Sequence, residues 1–406
     1  MALKEGARVK DRGKSEAPRP QGGVEAHLLV KDKGLPFNNT KLQSISLWHF
    51  LYRLALIGIL FFVSPSQAGE STPQGRAITA QRIEWIDVHV HLVGGRMRDY
   101  ECAAQVALKA MDEADVRTSF VMPPPQPPGH PGLYDYEDFI SSLKRYPGRF
   151  AFLGGGGTLN TMIQKAAPDH ISKHTRRRFE KKANEILRRG AVGFGEITAH
   201  HFSLMPGHPY ESVPADHPLF LLLADIAAHH GVVIDLHFDV VVEDVAHLPP
   251  KLASQANPSQ LAANIAGFER LLAHNRKAKI VWAHAGSDML GHWTAELSRK
   301  VLREHPNLFM SLRMGGGVPS NRVLDESGEV RIEWLALFCD FQDRFVIGSD
   351  QFFVSPDIQG SGPGTVFGQR AERVREGSKT LLSKLPPDLY QKIGYENTVR
   401  LYKLKE

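Results

Sequence analysis

In this 406-residue chain, the segment Asp87-Val88-His89-Val90-His91 contains an aspartate and two histidines, which are residue types that can bind a metal ion. Side chains alternate along a β-strand, so the aspartate and both histidines are predicted to share one face, with the two valines on the other. Two imidazoles spaced about 6–7 Å along a strand can converge on one ion, and imidazole suits zinc and other transition metals. Alone, this motif is weak, because a structural or surface histidine pair explains it equally well.

Polar residues of the same kinds close four later apolar runs. Glu196, His237, His284 and Asp350 each stand at the C-terminal end of a run rich in Val, Ile, Leu and Phe. Such continuous runs are typical of parallel strands buried on both faces. Buried polar side chains need partners, because leaving them unpaired is costly. A shared metal ion would satisfy all of them at once.

The elements that must position these residues are eight short β-rich runs alternating with amphipathic helical stretches. The predicted strands are 83–91, 118–122, 150–153, 191–197, 232–238, 279–284, 308–314 and 345–350. The predicted helices are 101–113, 136–146, 173–189, 218–230, 258–274, 293–304 and 332–341. This order predicts an α/β fold, a (β/α)8 TIM barrel forming one catalytic domain over 80–406. A doubly wound open sheet is the alternative, but Gly94-Gly95 is too weak for its phosphate loop.

In a barrel, the C-terminal ends of the strands form the active-site face. Loops 123–134 and 200–217 follow strands 2 and 4 and should lie on that face. The pair His200-His201 is interpreted as exposed loop histidines, with a position that lines the pocket as the alternative. Trp293, Phe352 and Phe353 are expected either as pocket walls or as core residues.

The net charge of +5 lies entirely in residues 1–68, which carry ten Lys/Arg and five Asp/Glu. The remainder is balanced, so nothing argues for nucleic acid as a partner. Cys102 and Cys339 are too few for a disulfide framework or a cysteine metal site and are expected as buried thiols.

The leader resembles an export signal. Residues 1–44 are polar and are predicted to be disordered or an over-extended start of the reading frame. Residues 45–68 contain the apolar run 54–63, preceded by Arg53 and followed by Ser66-Gln67-Ala68. Small residues at these positions are typical of a signal-peptidase site. The expectation is a periplasmic or secreted protein; the alternatives are an uncleaved membrane anchor, which would make the membrane a partner, and an unexported chain.

Together these motifs resemble the amidohydrolase superfamily, in particular the amidohydrolase-related branch of metal-dependent hydrolases and non-oxidative decarboxylases. The resemblance covers about 85–400 and includes the Asp-x-His-x-His opening, the histidines on strands 5 and 6, and the aspartate after Gly348-Ser349. The segment 393–402 is similar to the closing helix of that branch.

The resemblance implies a divalent metal cofactor, with zinc the expected ion and either one or two bound. His89, His91, His237 and Asp350 would form the metal shell. Asp350 and His284 would be the catalytic residues, with a second-metal ligand as the alternative role of His284. Glu196 is expected as a further ligand or as an acceptor beside the ligands, with a substrate-facing or structural role as the alternative. Asp87 is expected to support the histidines.

The chemistry that follows is hydrolysis of a C–N or C–O bond in a small-molecule substrate by metal-activated water. Asp350 would take the proton of the water, and His284 would polarise the carbonyl group. Arg313 could hold a substrate carboxylate through its planar fork, or form an ion pair inside the barrel.

Two alternative functions stay open: a decarboxylase on the same barrel, and an exported metal-binding module without turnover. A homo-oligomer is possible.

Overall fold

The computed structural model describes residues 84–358 and 363–404. The predictions for residues 1–44 and 45–68 lie outside this range. Among the described helices, none combines the length and apolar character needed to cross a membrane.

Eight parallel strands close into a ring, which confirms the predicted (β/α)8 barrel. They pair in the order β1-β2-β3-β4-β6-β7-β8-β9, and β9 pairs back with β1. The two-residue β5 is antiparallel to the end of β4. The strands are β1 Trp85–Val93, β2 Val116–Val121, β3 Phe150–Gly155, β4 Gly193–His201, β5 Glu211–Ser212, β6 Val233–Phe238, β7 Lys279–Ala285, β8 Leu308–Leu312, β9 Phe345–Ile347 and β10 Gln351–Val354.

Helices follow the strands and surround the ring. The α-helices are α1 Tyr100–Glu113, α2 Tyr136–Leu143, α3 Leu159–Lys165, α4 Lys173–Arg188, α5 Pro218–His230, α6 Ile265–His274, α7 Ala295–Glu304, α8 Ile332–Asp340, α9 Pro363–Gly368, α10 Ala371–Lys384, α11 Pro387–Gln391 and α12 Asn397–Tyr402. Single 3-10 turns occur at Pro168–His170, Pro250–Leu252 and Pro319–Asn321, and a π-helical turn at Lys392–Glu396.

The helix predicted over 258–274 begins seven residues late, at Ile265. The preceding segment does not join the helix, because Leu261 forms an antiparallel bridge with Val245. The Asn264 side chain also accepts a hydrogen bond from the Val241 N–H. These long-range contacts override the local apolar pattern.

The eighth strand of the ring is divided in two. The strand predicted over 345–350 ends at Ile347, and β10 resumes at Gln351; both parts pair in parallel with β1. A Cβ at Gly348 would lie 2.8 Å from Ser311 Cβ, so only glycine fits this close approach. The break places Ser349 and Asp350 outside a regular ladder, with Ser349 buried against Asp87 and Asp350 at the mouth of the barrel.

Three apolar clusters form the core of the described residues. The largest lies between strands and helices, and the smallest includes Phe202 and Val241. The third joins side chains of six different strands, which can meet only in the interior of a closed barrel, and we call it the floor. It comprises Ile86, Val88, Phe120, Met122, Leu153, Val233, Val281 and Val346, with Leu401 and Tyr402.

The floor corrects one prediction about β1. Val88 packs inside the barrel and not against the helices, whereas Val90 does belong to the outer layer. The alternation of side chains between the two faces of β1 changes phase at an irregularity in the β1–β2 pairing, which lies between Asp87 and Val90. A bulge of this kind shifts the side-chain phase by one residue.

Strand β4 also runs further than predicted. It continues to His201, so His200 and His201 are 4% and 7% exposed and are not exposed loop residues. The prediction that both thiols are buried is also wrong. Cys102 is half-buried and Cys339 is exposed, and neither forms a disulfide.

Candidate metal centre

The two histidines of β1 point their Nε2 atoms at one place. His89 Nε2 lies 3.2 Å from His91 Nε2, and both residues are fully buried. His91 Nδ1 is 2.9 Å from the Met122 carbonyl oxygen, which can only accept, so the proton is on Nδ1 and the Nε2 lone pair is free. His89 Nδ1 lies 3.1 Å from Asp235 Oδ1. Outer partners of this kind orient histidine ligands.

Glu196 lies at the centre of the cluster. Its Oε2 is 3.4 Å from both His89 Nε2 and His91 Nε2. Its Oε1 is 2.8 Å from His237 Nδ1 and 3.8 Å from His284 Nε2. Burial acts to raise the pKa of Glu196, but the charge of His89 and the hydrogen bonds from the histidines outweigh it and hold that pKa well below its usual range.

Asp350 faces the cluster from the break in the eighth strand. Its Oδ1 lies 3.2 Å from His91 Nε2, and its Oδ2 lies 2.9 Å from Arg313 Nε. Arg313 Nη1 also donates to Ser287 Oγ at 2.6 Å. Arg313 therefore forms the ion pair that was one of its two expected roles, while remaining on the cavity wall.

His284 is held in an unusual conformation at the end of β7. Its φ is +75°, and that of Asp350 is +56°, both in the left-handed region that non-glycine residues rarely adopt. Strain of this kind is concentrated at functional sites. His284 Nε2 is buried without a hydrogen-bond partner among the described residues, and burial lowers the pKa of its imidazole well below the usual value.

His237 differs from the other histidines. Its Nδ1 contacts Glu196, and its Nε2 lies 3.3 Å from Asp239 Oδ2, so both nitrogens face carboxylates. Its ring lies 4.7 Å from that of His284, centroid to centroid. The structure thus brings His237 to the cluster, and its role as a ligand stays a prediction.

Asp87 is a support for its neighbours. Its carboxylate accepts hydrogen bonds from the backbone N–H of His89 at 3.2 Å and of Ser349 at 3.0 Å, and from the Ser349 hydroxyl. It therefore ties the start of the motif to the break that carries Asp350. Burial, opposed by these bonds, raises the pKa of Asp87 to about 6.

The donor set fits a divalent metal ion. Two triads within the described residues bring one ligand atom each to within 4.8 Å of one another: His89, His91 and Asp350, and His89, Glu196 and His284. Imidazole and carboxylate together are the donors that zinc and similar ions prefer. The unpartnered His284 Nε2 is the kind of buried polar atom that a ligand would satisfy.

The family model described as Amidohydrolase matches residues 86–404. The chain belongs to the amidohydrolase family. This family typically binds divalent metal, and its membership supports a metal-dependent hydrolase at the general level. A comparison with curated proteins found no significant match.

Solved structures similar to this amidohydrolase include the dihydroorotase of Saccharomyces cerevisiae, in complex with 5-fluoroorotic acid. It is 13% identical, with a TM-score of 0.44, over 80% of this chain and 85% of that one. The N-acyl-D-glutamate deacylase of Bordetella bronchiseptica, complexed with zinc and a phosphonate inhibitor, is 15% identical with a TM-score of 0.44, over 79% and 74%. An amidohydrolase from Pseudomonas aeruginosa is 10% identical with a TM-score of 0.40, over 79% and 95%.

A cavity of about 1160 Å³, including the open space at its mouth, leads to the cluster of this amidohydrolase. Its walls are largely apolar and aromatic. Trp293 and Phe352 line it, together with Met289 and Phe367, whereas Phe353 lies in the core. A small, partly apolar substrate would fit such a site.

Sequence reasoning missed several polar residues of the amidohydrolase centre. Asp235 and Asp239 flank His237 at spacings of two and contact His89 and His237. The signal was present, because Asp235-Leu236-His237 repeats the Asp-x-His spacing of β1. His208 on the cavity wall lacked such a signal, since its placement depends on the loop after β4. His201 lines the cavity, which was the alternative expected for it.

Proposed function

We propose that this protein is a hydrolase that cleaves a C–N or C–O bond of a small molecule at a metal centre. The observation that carries the proposal is the position of Glu196. One of its oxygens faces the histidines of β1, and the other faces His237 and His284. A buried carboxylate among four imidazoles would be a ligand for a divalent metal ion.

His89, His91 and Asp350 would hold one divalent ion. Glu196 and His237, which lie beside them, would hold a second. When bound, a divalent ion such as zinc supplies a water molecule activated at neutral pH.

Side chains of the protein would then accept the proton of the water and position the substrate. Asp350 lies beside the imidazoles and can accept the proton of the water, later passing it to the leaving group. Arg313, 2.9 Å away, stabilises the charged form of Asp350 and holds its orientation. His284 has an unpartnered Nε2 that can face the carbonyl oxygen of the substrate and stabilise its developing charge.

A decarboxylase is the second candidate, and Arg313 is the observation that favours it. A guanidinium group on the cavity wall can hold a substrate carboxylate. However, Arg313 already pairs with Asp350, which leaves its guanidinium group less available to a substrate carboxylate. We therefore favour hydrolysis.

The test is turnover of the zinc-loaded full chain on a panel of esters, lactones and amides, alongside aromatic carboxylic acids, with metal content measured per chain. Hydrolysis together with about two ions per chain would support the proposal. Release of carbon dioxide from an aromatic acid with no hydrolysis would overturn it in favour of the decarboxylase. A loaded metal shell without any turnover would indicate a binding module.

We also propose that the protein is exported, on the basis of the leader sequence. Mass spectrometry of the mature protein should find an N-terminus near residue 69. An intact chain that begins at Met1 would contradict cleavage.

A further inference from the structure

Two histidines of the cavity wall have hydrogen-bonding atoms that the metal centre does not use. His201 ends β4, and His208 lies in the loop that follows. Both line the cavity. The ring of His208 lies 4.6 Å from that of His201, which in turn lies 4.6 Å from that of His237. His201 is therefore one ring contact from His237 of the candidate metal centre, and His208 is two.

The tautomer of His208 is set by its loop. Its Nδ1 accepts a hydrogen bond from the backbone N–H of Leu204 at 3.0 Å. In a neutral imidazole whose Nδ1 accepts, the proton must be on Nε2. Because Nδ1 accepts and carries no proton, the ring is neutral. His208 thus offers the cavity an uncharged N–H donor.

The tautomer of His201 is the opposite one. Its Nδ1 lies 3.0 Å from the carbonyl oxygen of Pro209, which can only accept a hydrogen bond. The proton is therefore on Nδ1, and Nε2 carries a bare lone pair. A donor on His208 and an acceptor on His201 thus stand side by side.

The loop that carries His208 is held firmly. The His208 N–H donates to the Met205 carbonyl at 3.0 Å. Ser203 exchanges two hydrogen bonds with the Asn257 side chain, at 2.8 and 2.9 Å. The ring of Phe367 packs at 5.2 Å against the His208 ring. A binding group anchored in this way is pre-organised, so little ordering cost is added when a ligand binds.

We propose that His201 and His208 form a subsite for an uncharged carboxamide group of the substrate. His208 Nε2 donates to the amide oxygen, and His201 Nε2 accepts from the amide N–H. The apolar walls of the cavity take an aromatic or alkyl part of the substrate. This inference rests on the proposed hydrolase function and names part of its substrate. A carboxylate in the same place lacks the N–H that His201 requires and is disfavoured.

The test compares three aryl esters on the zinc-loaded full chain: 4-carbamoylphenyl, 4-ethylphenyl and 4-carboxyphenyl acetate. In the wild-type protein, kcat/KM for the carbamoyl ester should exceed that for the ethyl ester by about tenfold, the effect of a hydrogen-bonded pair. His208→Asn keeps an acceptor for the Leu204 N–H but cannot place a donor at Nε2. The ratio should therefore fall about tenfold in that variant, and His208→Gln, whose amide N–H reaches further, should restore part of it.

His201→Asn should lower the same ratio, because it keeps a donor for Pro209 and removes the Nε2 acceptor. His174→Asn, on the exposed face of α4, is the matched control and should keep the wild-type ratio. Comparing ratios between variants cancels the intrinsic reactivity of the esters. An unchanged ratio in His208→Asn, or a preference for the carboxy ester, would overturn the subsite.

Calorimetric titration with benzamide separates this inference from the proposed function. If the wild-type protein hydrolyses none of the esters, the hydrolase proposal loses its support, and benzamide binding alone decides the subsite. Binding that is about tenfold weaker in both His201→Asn and His208→Asn supports the subsite. Equal binding in all variants contradicts it.

Discussion

The floor and the mouth of the same barrel are built on opposite principles. The floor is apolar, and side chains such as Val88, Val233 and Val346 fill it without any need for hydrogen-bond partners. A few residues further along the same strands, the mouth buries imidazoles and carboxylates that include His89 and Glu196. The floor gains free energy from burial, whereas the mouth loses free energy unless each polar group is paired.

The difference shows which residues the fold needs and which the chemistry needs. At the mouth, Asp87 and His91 have hydrogen-bond partners within the protein. His284 Nε2 has no such partner among the described residues. Changes at the floor should therefore alter stability and leave the chemistry intact. Changes at the mouth should do the reverse, and the following predictions test that separation.

The largest expected effect is on activity. Asp350→Asn removes the proton acceptor and should lower kcat by about 10³-fold, while metal remains bound at reduced occupancy. Steady-state kinetics and metal analysis check this. Asp357→Asn, in the exposed turn after β10, is the control and should retain activity. Activity of Asp350→Asn within tenfold of the wild type would contradict the assigned role.

At the floor, Tyr402→Ala should lower the free energy of unfolding by about 3–5 kcal/mol, without changing KM. The side chain is 6% exposed and packs edge-on against Phe120 at 4.7 Å. Its hydroxyl is buried without a hydrogen-bond partner among the described residues. Tyr402→Phe is therefore the matched variant and should be as stable as the wild type or more so. Denaturant unfolding distinguishes the two, and equal losses in both would contradict this account of the floor.

A pH-dependent effect is expected at Glu211 on β5. Burial, only partly offset by a hydrogen bond from Asn160 at 2.9 Å, raises its pKa to about 7 from 4.5. Between these values the unfolded chain loses the proton and the folded chain keeps it, so this group lowers stability as pH rises from 4.5 to 7. Glu211→Gln should thus gain up to about 3 kcal/mol over the wild type at pH 8 and little at pH 4.5. Urea unfolding of both proteins at pH 4.5 and pH 8 measures this gain in stability. Glu180→Gln, at an exposed position, is the control. A gain that does not depend on pH would refute the explanation.

A smaller effect is expected from the partner of His89. Asp235→Asn removes the carboxylate 3.1 Å from His89 Nδ1 and should weaken zinc binding by about 10- to 100-fold. Competition with a chromophoric chelator measures the affinity. Asp169→Asn, on an exposed turn, should bind zinc like the wild type. Unchanged affinity in Asp235→Asn would show that His89 needs no such support.

The sequence was sufficient to predict the fold and the residues that gather at the mouth. Strand periodicity identified the eight strands of the ring, and the polar residues at their ends gave Glu196, His284 and Asp350. These predictions depend on local pattern and on a barrel geometry that is the same in every member of the fold.

The rest depends on contacts that are remote in sequence. The phase reset that turns Val88 inward lies in the pairing of β1 with β2. The extension of β4 to His201 depends on its pairing with β5 and β6. The ion pair between Arg313 and Asp350 joins two different strand ends. No local window of sequence contains these partners.

The divided eighth strand has a consequence for how the protein folds. Asp87 and Ser349, which hydrogen bond across the seam, are 262 residues apart in the chain. The seam between β1 and β9–β10 is also where Asp350 meets His91. Closing so long a loop is slow and comes at an entropic cost. Closure of the barrel is therefore also the step that brings Asp350 to His91, and a chain whose ring is open lacks the complete cluster of candidate metal ligands.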